Sequence, residues 1–301
     1  MRVFVTGASG FIGSALVPEL IDAGHEVLGL ARSEASADAL TAAGAVVHHG
    51  SLDDLDSLRK GAAASDGVIH LAFNHDFSDY VGAARTDLRA IETLGDALTG
   101  TGRPLVITAG TLGLPAGRVA TENDVPASGP SAAPRNAGTL AALALAARGV
   151  RSSVLRLPPS VHGDGDHGFV PTLIEIARDK GVSGYIGDGS NCWPAVHRLD
   201  AAHLFRLALE QAPAGSVLHA VAEEGVAVRA IAEVIGRRLN RPTASIPQDQ
   251  AGEHFGWLAG FLGADVRASS ELTRKSLGWR PTRPGLIDDL DRDQYFRRSA
   301  A

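Results

Sequence analysis

The chain has 301 residues, 45% of them hydrophobic and 21% charged, with a formal net charge of -6. That length can bury a full core in one large or two small domains, in proportions ordinary for a soluble globular enzyme. The charges fall without long runs of one sign, which excludes the basic stripe a nucleic-acid partner needs, and the single cysteine, Cys192, excludes an internal disulfide or a cysteine-rich zinc site. A first strand is expected from residue 2, so no secretory signal is expected, and no apolar run approaches a membrane span. The expected location is cytoplasmic, with no membrane or nucleic-acid partner.

Residues 3–5 read as a buried strand. They lead through Thr6-Gly7-Ala8-Ser9-Gly10-Phe11-Ile12-Gly13 into a helix carrying Ile12, Leu16 and Leu20 on one face. The spacing Gly7-x-x-Gly10-x-x-Gly13 puts bare backbone where a pyrophosphate must come close. The helix start offers that anion unpaired N–H groups and partial positive charge. The turn therefore points to a dinucleotide. Ala23-Gly24 reads as the helix stop, and Pro18 is expected to cost a hydrogen bond and bend the helix.

Strands at 26–30 and 45–48 follow, with a helix near 35–43 between them. After the second strand the chain reads Leu30-Ala31-Arg32-Ser33, without the Asp or Glu that an NAD site offers to the ribose hydroxyls. Arg32 carries forked donors suited to a 2′-phosphate, and Ser33 adds a hydroxyl, so the expected cofactor is NADP(H). A solvated Arg32 is the alternative, and Glu34 would repel the phosphate if it pointed inward.

A helix near 54–64, a strand at 68–72, a helix at 80–98, a strand at 105–108, a helix near 136–148 and a strand at 153–157 continue the alternation. This is the pattern of an α/β, doubly wound, parallel Rossmann-type sheet. His70, inside the fourth strand, reads as a packed core histidine. Pro158-Pro159 ends the sixth strand, and a glycine-rich stretch from His162 to Gly168 follows. Further helices are expected near 170–179 and 200–210, before a seventh strand at 217–221. Residues 1–158, with 199–222 returning to the sheet, read as the dinucleotide-binding region. Residues 159–198 and 223–301, with helices near 229–239 and 271–277, read as a smaller C-terminal substrate lobe. The loop 112–134 is long for a compact domain and reads as functional. Asp164, Asp166 and His167 read as a solvated turn, and no metal is expected.

Five segments, in order and spacing, resemble the extended short-chain dehydrogenase/reductases, the group of the NAD-dependent epimerases and dehydratases. They are Thr6-Gly7-x-x-Gly10-x-x-Gly13, Ile69-His-Leu-Ala72, Arg156-Leu-Pro-Pro-Ser-Val-His162-Gly163, Trp193-Pro-Ala-Val-His197-Arg-Leu-Asp200 and Leu277-Gly278-Trp279-Arg-Pro281. The resemblance covers nearly the whole chain. It implies that Gly7, Ser9, Gly10, Phe11 and Ile12 contact the pyrophosphate. It also implies that Ser51 and Leu52 flank the adenine, and that Leu71, Ala72, Phe73, Asn74 and Thr108 belong to the cofactor site. Pro158 is expected at the nicotinamide edge. Ser51 stands where the family has an Asp, and a helix N-cap before Asp54 is its alternative role. A homodimer is the family's usual state.

The departure lies in the family's Tyr-x-x-x-Lys pair. No tyrosine occurs between Tyr80 and Tyr185, and no lysine between Lys60 and Lys180. The best placement puts Arg135 and Thr139 in those positions, on one helical face. Three residues are the candidates to assist catalysis instead. His162 replaces the tyrosine of the family's Val-Tyr-Gly and titrates near neutrality, or is a solvent-contacting loop histidine. Thr111 orients a carbonyl oxygen or is a turn residue. Arg135 polarises a carbonyl or is a surface residue opening a helix. His197 and Arg198 are expected to pin the smaller lobe to the sheet. The expected function is NADPH-dependent reduction of a small aldehyde, ketone or related unsaturated compound. The alternatives are a non-catalytic NADP(H)-binding redox sensor and a nucleotide-sugar epimerase or dehydratase.

Overall fold

The computed structural model describes residues 1–75, 79–126 and 133–297. The chain begins with β1 (Arg2–Thr6), α1 (Gly13–Asp22), β2 (Glu26–Ala31), α2 (Glu34–Ala42), β3 (Val46–His49), α3 (Leu55–Ala63) and β4 (Gly67–His70). It continues with α4 (Tyr80–Leu98), β5 (Pro104–Gly110), α5 (Ala133–Ala144), β6 (Arg151–Leu157), β7 (Ser160–His162), α6 (Phe169–Lys180), β8 (Ser183–Ile186) and β9 (Cys192–His197). Then come α7 (Arg198–Gln211), β10 (Ser216–His219), β11 (Glu223–Ala227), α8 (Val228–Leu239), β12 (Thr243–Ile246) and α9 (Ala251–Phe255). The last helices are α10 (Ala259–Leu262), α11 (Glu271–Leu277) and α12 (Leu286–Leu290).

The main sheet has seven strands in the order β10-β6-β5-β4-β1-β2-β3, and every neighbouring pair is parallel. Parallel strands need crossovers, and the helices that supply them cover both faces. The side-chain alternation of β1 divides the two layers: Val3 and Val5 join the core with Leu16, Leu20 and Phe205, while Phe4 joins Leu58, Ile91 and Leu94 on the other face. Gly61 lets α3 lie directly on Phe4, since a Cβ there would meet the ring at 2.5 Å. The strand order reverses between β1 and β4, which opens a crevice beyond their C-terminal ends.

Pro18 lies inside α1 without ending it. The amide it lacks would have met the Ser14 carbonyl, and both residues are on the exposed face, so that carbonyl is not sealed away from solvent. The helix stops at Gly24, whose φ of 82° allows His25 N–H to reach the Leu20 carbonyl at 3.0 Å.

Two features differ from the sequence expectations. A three-stranded sheet, β11-β9-β7, and a parallel pair, β12-β8, were not anticipated. Their strands are short, and β9 carries Pro194, so neither periodicity nor strand length marks them. Leu277 and Trp279, within the stretch expected for the smaller lobe, pack into the sheet core. Asp200 holds them there: its carbonyl accepts the Trp279 indole N–H at 3.1 Å, and its carboxylate accepts the Thr282 and Arg283 amides at 3.0 Å each. Part of the expected loop 112–134 is tied to distant segments. Ala120 bridges Ala268, and Glu122 accepts the Thr273 amide at 2.7 Å, while residues 127–132 lie outside the described residues.

A second hydrophobic core, built around Trp193, Ile174, Ile231, Phe255 and Leu258, is separate from the two sheet cores. Among the described residues no helix is long and apolar enough to cross a membrane.

Candidate active site

The β1–α1 turn closes on itself, Gly10 N–H donating to the Gly7 carbonyl at 3.0 Å. Two of its glycines are forced by packing. Gly7 has φ 69° and lies against the Ala72 amide, 2.7 Å from where its Cβ would be. A Cβ on Gly13 would stand 2.1 Å from the Gly7 carbonyl oxygen. Gly10 is different: its Cβ would meet only that same oxygen, at 3.2 Å, and the residue is exposed with Ser9 at the crevice. The Phe11 and Ile12 amides have no hydrogen-bond acceptor among the described residues, and Ile12 caps α1 without a side-chain bond. These free donors at a helix start fit a pyrophosphate.

At the end of β2, Arg32 is exposed and has no hydrogen bond or ion pair among the described residues. Ser33 is the N-cap of α2, its hydroxyl accepting the Ser36 amide at 3.3 Å, so its oxygen already has a structural task. Ser51 is not a helix cap. Asp54 caps α3, and the Ser51 hydroxyl accepts the Asp53 amide at 3.3 Å beside Leu52.

The end of β4 is held by a buried chain of hydrogen bonds. Ala72 N–H donates to the Thr6 hydroxyl at 3.2 Å, and Thr6 lies 2.7 Å from His70 Nδ1. The other ring nitrogen of His70 lies 3.1 Å from the Asp87 carboxylate. One hydrogen pattern satisfies all three links: the Thr6 hydroxyl donates to Nδ1, and Nε2–H donates to Asp87. Thr108 donates to the His70 carbonyl at 2.9 Å, tying β5 to the same point. His70 is thus in the core, as expected, and it also fixes the backbone leading to Ala72.

Beyond Ala72, Phe73 carries the Arg135 guanidinium stacked 3.9 Å above its ring, with the His75 ring edge-on at 5.3 Å and the Tyr80 ring tilted at 6.2 Å. Desolvation, then the Arg135 charge, then His167 lower the His75 pKa. The Arg135 Nε is buried without a partner among the described residues. Asn74 lines a concavity of about 520 Å³ together with Asp79, Thr86 and Arg89. Helix α5 contains neither a tyrosine nor a lysine; it carries Arg135 and the buried Thr139.

Thr111 follows β5 and is 1% exposed. Its amide donates to the Leu157 carbonyl at 2.9 Å, next to the buried Pro158, but its hydroxyl has no partner among the described residues. A buried hydroxyl left unpaired costs free energy unless something else meets it.

His162 departs from expectation. It lies on β7, is 1% exposed, and gives Nδ1 to the Asp289 carboxylate at 2.9 Å, with its ring edge-on to His197. Burial alone would raise the Asp289 carboxyl, but the hydrogen bond from His162 holds it below the usual range. The ring is not a solvent-contacting loop side chain. Sequence gave no sign of this, because Asp289 is 127 residues away. His197 caps α7 by accepting the Leu199 amide, and Arg198 reaches the Phe11 carbonyl at 3.4 Å.

The stretch 163–168 lies against the same turn, the His167 ring meeting Phe11 at 5.6 Å. Within it Asp166 accepts the Gly168 amide at 2.8 Å and the Tyr295 hydroxyl at 3.1 Å. Desolvation pushes the Asp166 pKa up to about 6, the hydrogen bonds and nearby His162 and His167 opposing it. A carboxyl with a raised folded-state pKa binds its proton more tightly than in the unfolded chain. Its stabilisation is complete below its unfolded value and is lost as pH rises through about 6. The melting temperature of Asp166→Asn is therefore expected to gain on wild type between pH 4 and 7. Parallel melting curves across that range would contradict this.

The chain belongs to the NAD dependent epimerase/dehydratase family, whose profile matches residues 3–221. It is thereby a member of the extended short-chain dehydrogenase/reductases, and the family is NAD(P)-dependent. The chain is 55% identical over 298 residues to an uncharacterized protein of Schizosaccharomyces pombe, covering 98% of this chain and 100% of that one. It is 28% identical over 235 residues to the 4-hydroxy-2-methyl-3-oxo-4-farnesyl-3,4-dihydroquinoline-1-oxide ketoreductase of Stigmatella aurantiaca, covering 72% and 67%. Its fold matches the dTDP-glucose 4,6-dehydratase DesIV of Streptomyces venezuelae, solved with NAD, at TM-score 0.79 and 21% identity over 98% and 97% of the chains.

Proposed function

We propose that the protein is an NADPH-dependent oxidoreductase that reduces a small carbonyl compound to the alcohol. The unpaired, buried hydroxyl of Thr111 at the end of β5 carries this reading. It has a hydrogen to donate and no acceptor among the described residues, which is the requirement for orienting a carbonyl oxygen. The Arg135 guanidinium, stacked on Phe73, adds fixed positive charge for the oxygen as it becomes anionic. Both residues replace by hydrogen bonding and charge what a tyrosine would supply by proton transfer; the proton comes from water. When bound, NADPH supplies the hydride. The ketoreductase relative from Stigmatella aurantiaca supports the reductase reading. The second core, built from parts of segments 159–198 and 223–301, serves as the substrate lobe.

The free guanidinium of Arg32 supports NADPH over NADH. Arg32→Ala is expected to weaken NADPH binding about tenfold, the usual worth of a charge-assisted hydrogen bond, and NADH binding by less than about twofold. Titrating both cofactors into both proteins checks this, and equal losses would sink the preference.

The absence of tyrosine and lysine from α5 supports a second reading, an NADP(H)-binding sensor without turnover. NADPH consumption with a panel of aldehydes and ketones separates the two. Steady consumption with any member supports the reductase; tight NADPH binding with no consumption across the panel overturns it.

A further inference from the structure

The dinucleotide turn, residues 6–13, carries no charged side chain, and none stands in the first turn of α1. A pyrophosphate is an anion, and the N–H groups at a helix start offer it only partial charge. A full positive charge reaches this turn from a distant part of the chain. Arg198, the first residue of α7, donates from one amino group to the Phe11 carbonyl and to the Ser14 hydroxyl, both at 3.4 Å. Its guanidinium lies 5.3 Å from the centre of the Phe11 ring. The Phe11 carbonyl and the Ile12 N–H are the two ends of one planar peptide unit, and that N–H is one of the turn's free donors. A cation at the oxygen polarises the unit and makes the N–H on its far side a stronger donor.

The charge of Arg198 is not cancelled locally. The residue is half-buried and has no ion pair among the described residues. The neighbouring carboxylates are occupied elsewhere. Asp166 accepts the Gly168 amide and the Tyr295 hydroxyl, and Asp200 accepts the Thr282 and Arg283 amides. Glu19 on α1 meets His203 and Arg206, and Asp164 is exposed. The stem of Arg198 is seated against bare backbone. Gly163 has φ 137°, and a Cβ there would lie 3.1 Å from Arg198 Cγ. The Gly163 amide is fixed in turn by donating to the Tyr295 hydroxyl at 3.0 Å. The guanidinium therefore stands in place before a ligand arrives, and little side-chain ordering remains for binding to do.

We infer that Arg198 is a positioning residue for the cofactor: its charge, carried through the Phe11–Ile12 peptide, strengthens the hold of the β1–α1 turn on the dinucleotide's pyrophosphate. It stands behind the peptide and acts through it, without touching a phosphate. The pyrophosphate is common to NADH and NADPH, so the inference is independent of the cofactor preference and of turnover. Arg32 is expected to separate the two cofactors; Arg198 is expected to serve both alike.

The test is fluorescence titration of the full chain with NADH and with NADPH at low and high salt, about 0.05 and 0.5 M NaCl, with thermal melts alongside. Arg198→Gln keeps a donor for the Phe11 carbonyl and removes the charge. At low salt it is expected to bind both cofactors about fivefold more weakly than wild type, by the same factor. At high salt the gap is expected to close to within about twofold, because a partly exposed charge is screened. Arg198→Lys, which keeps the charge, is expected to stay within about twofold of wild type throughout. Arg198→Met, which keeps the packed stem, repeats the test should the glutamine variant not fold. A purely structural pin would lower the melting temperature and give a loss of affinity that salt leaves unchanged and lysine does not rescue; that result overturns the inference. So does a neutral variant within about twofold of wild type at low salt, or a loss confined to one cofactor.

Discussion

Gly10→Val is expected to fold and to lose its cofactor, NADPH affinity falling at least about a hundredfold, or roughly 2.7 kcal/mol. The geometry separates this glycine from its neighbours. At Gly10 a new Cβ meets only the Gly7 carbonyl oxygen at 3.2 Å, a contact that a small shift relieves, and the branched side chain then fills the crevice mouth. It would stand where the pyrophosphate must meet the free Phe11 and Ile12 amides. At Gly13 the same change puts a Cβ 2.1 Å from that oxygen, inside the folded turn, so Gly13→Val is expected to lower the melting temperature sharply. Fluorescence titration with NADPH, alongside thermal melts, distinguishes the two. A folded Gly10→Val protein with affinity within threefold of wild type would contradict the assignment of the turn.

This turn was legible in the sequence because its constraints are local. Three glycines at a fixed spacing, after an apolar strand and before a periodic helix, specify backbone geometry with no distant partner. The seven parallel strands were legible for a related reason: strands buried on both faces are short unbroken apolar runs, and the helices between them are amphipathic. What the sequence concealed depends on pairs far apart in the chain. Nothing in the run Ser160–His162 announces that His162 meets Asp289, and nothing near Asp200 announces that it clasps the segment after Trp279. The same limit applied to the site. Arg135 and Phe73 were both candidates, but their stacking at 3.9 Å could be seen only once α5 and the end of β4 were set side by side. His75 and Tyr80, on that same ring, were missed because their only signal is spatial.

Thr111→Val is the second large expected effect. Valine keeps the shape and removes a hydroxyl that no described residue uses, so the fold should gain slightly or stay unchanged. Under the proposed reaction the same hydroxyl steadies the carbonyl oxygen as charge develops on it, and removing one such donor typically costs about a hundredfold in kcat. Stability and catalysis therefore move apart in this variant. His162→Phe is expected to behave the other way. It leaves the Asp289 carboxylate without its closest partner at a site 1% exposed, a loss of roughly 2 kcal/mol read as a lower melting temperature. Steady-state rates across pH and thermal melts of both variants check the contrast. A Thr111→Val enzyme with wild-type kcat and kcat/KM at every pH would remove Thr111 from the reaction and leave Arg135 with water as the remaining groups.

The central claim is that the chain passes a hydride from NADPH to a carbonyl carbon without a tyrosine and lysine on α5. It is tested most directly by following the atom itself. The full chain is incubated with NADPH carrying deuterium at both C4 positions of the nicotinamide and with each member of the aldehyde and ketone panel. The alcohol is then weighed by mass spectrometry. The account predicts one deuterium on the carbinol carbon and its loss from the recovered cofactor. Tightly bound NADPH that keeps all of its deuterium, with no labelled alcohol formed, would contradict it.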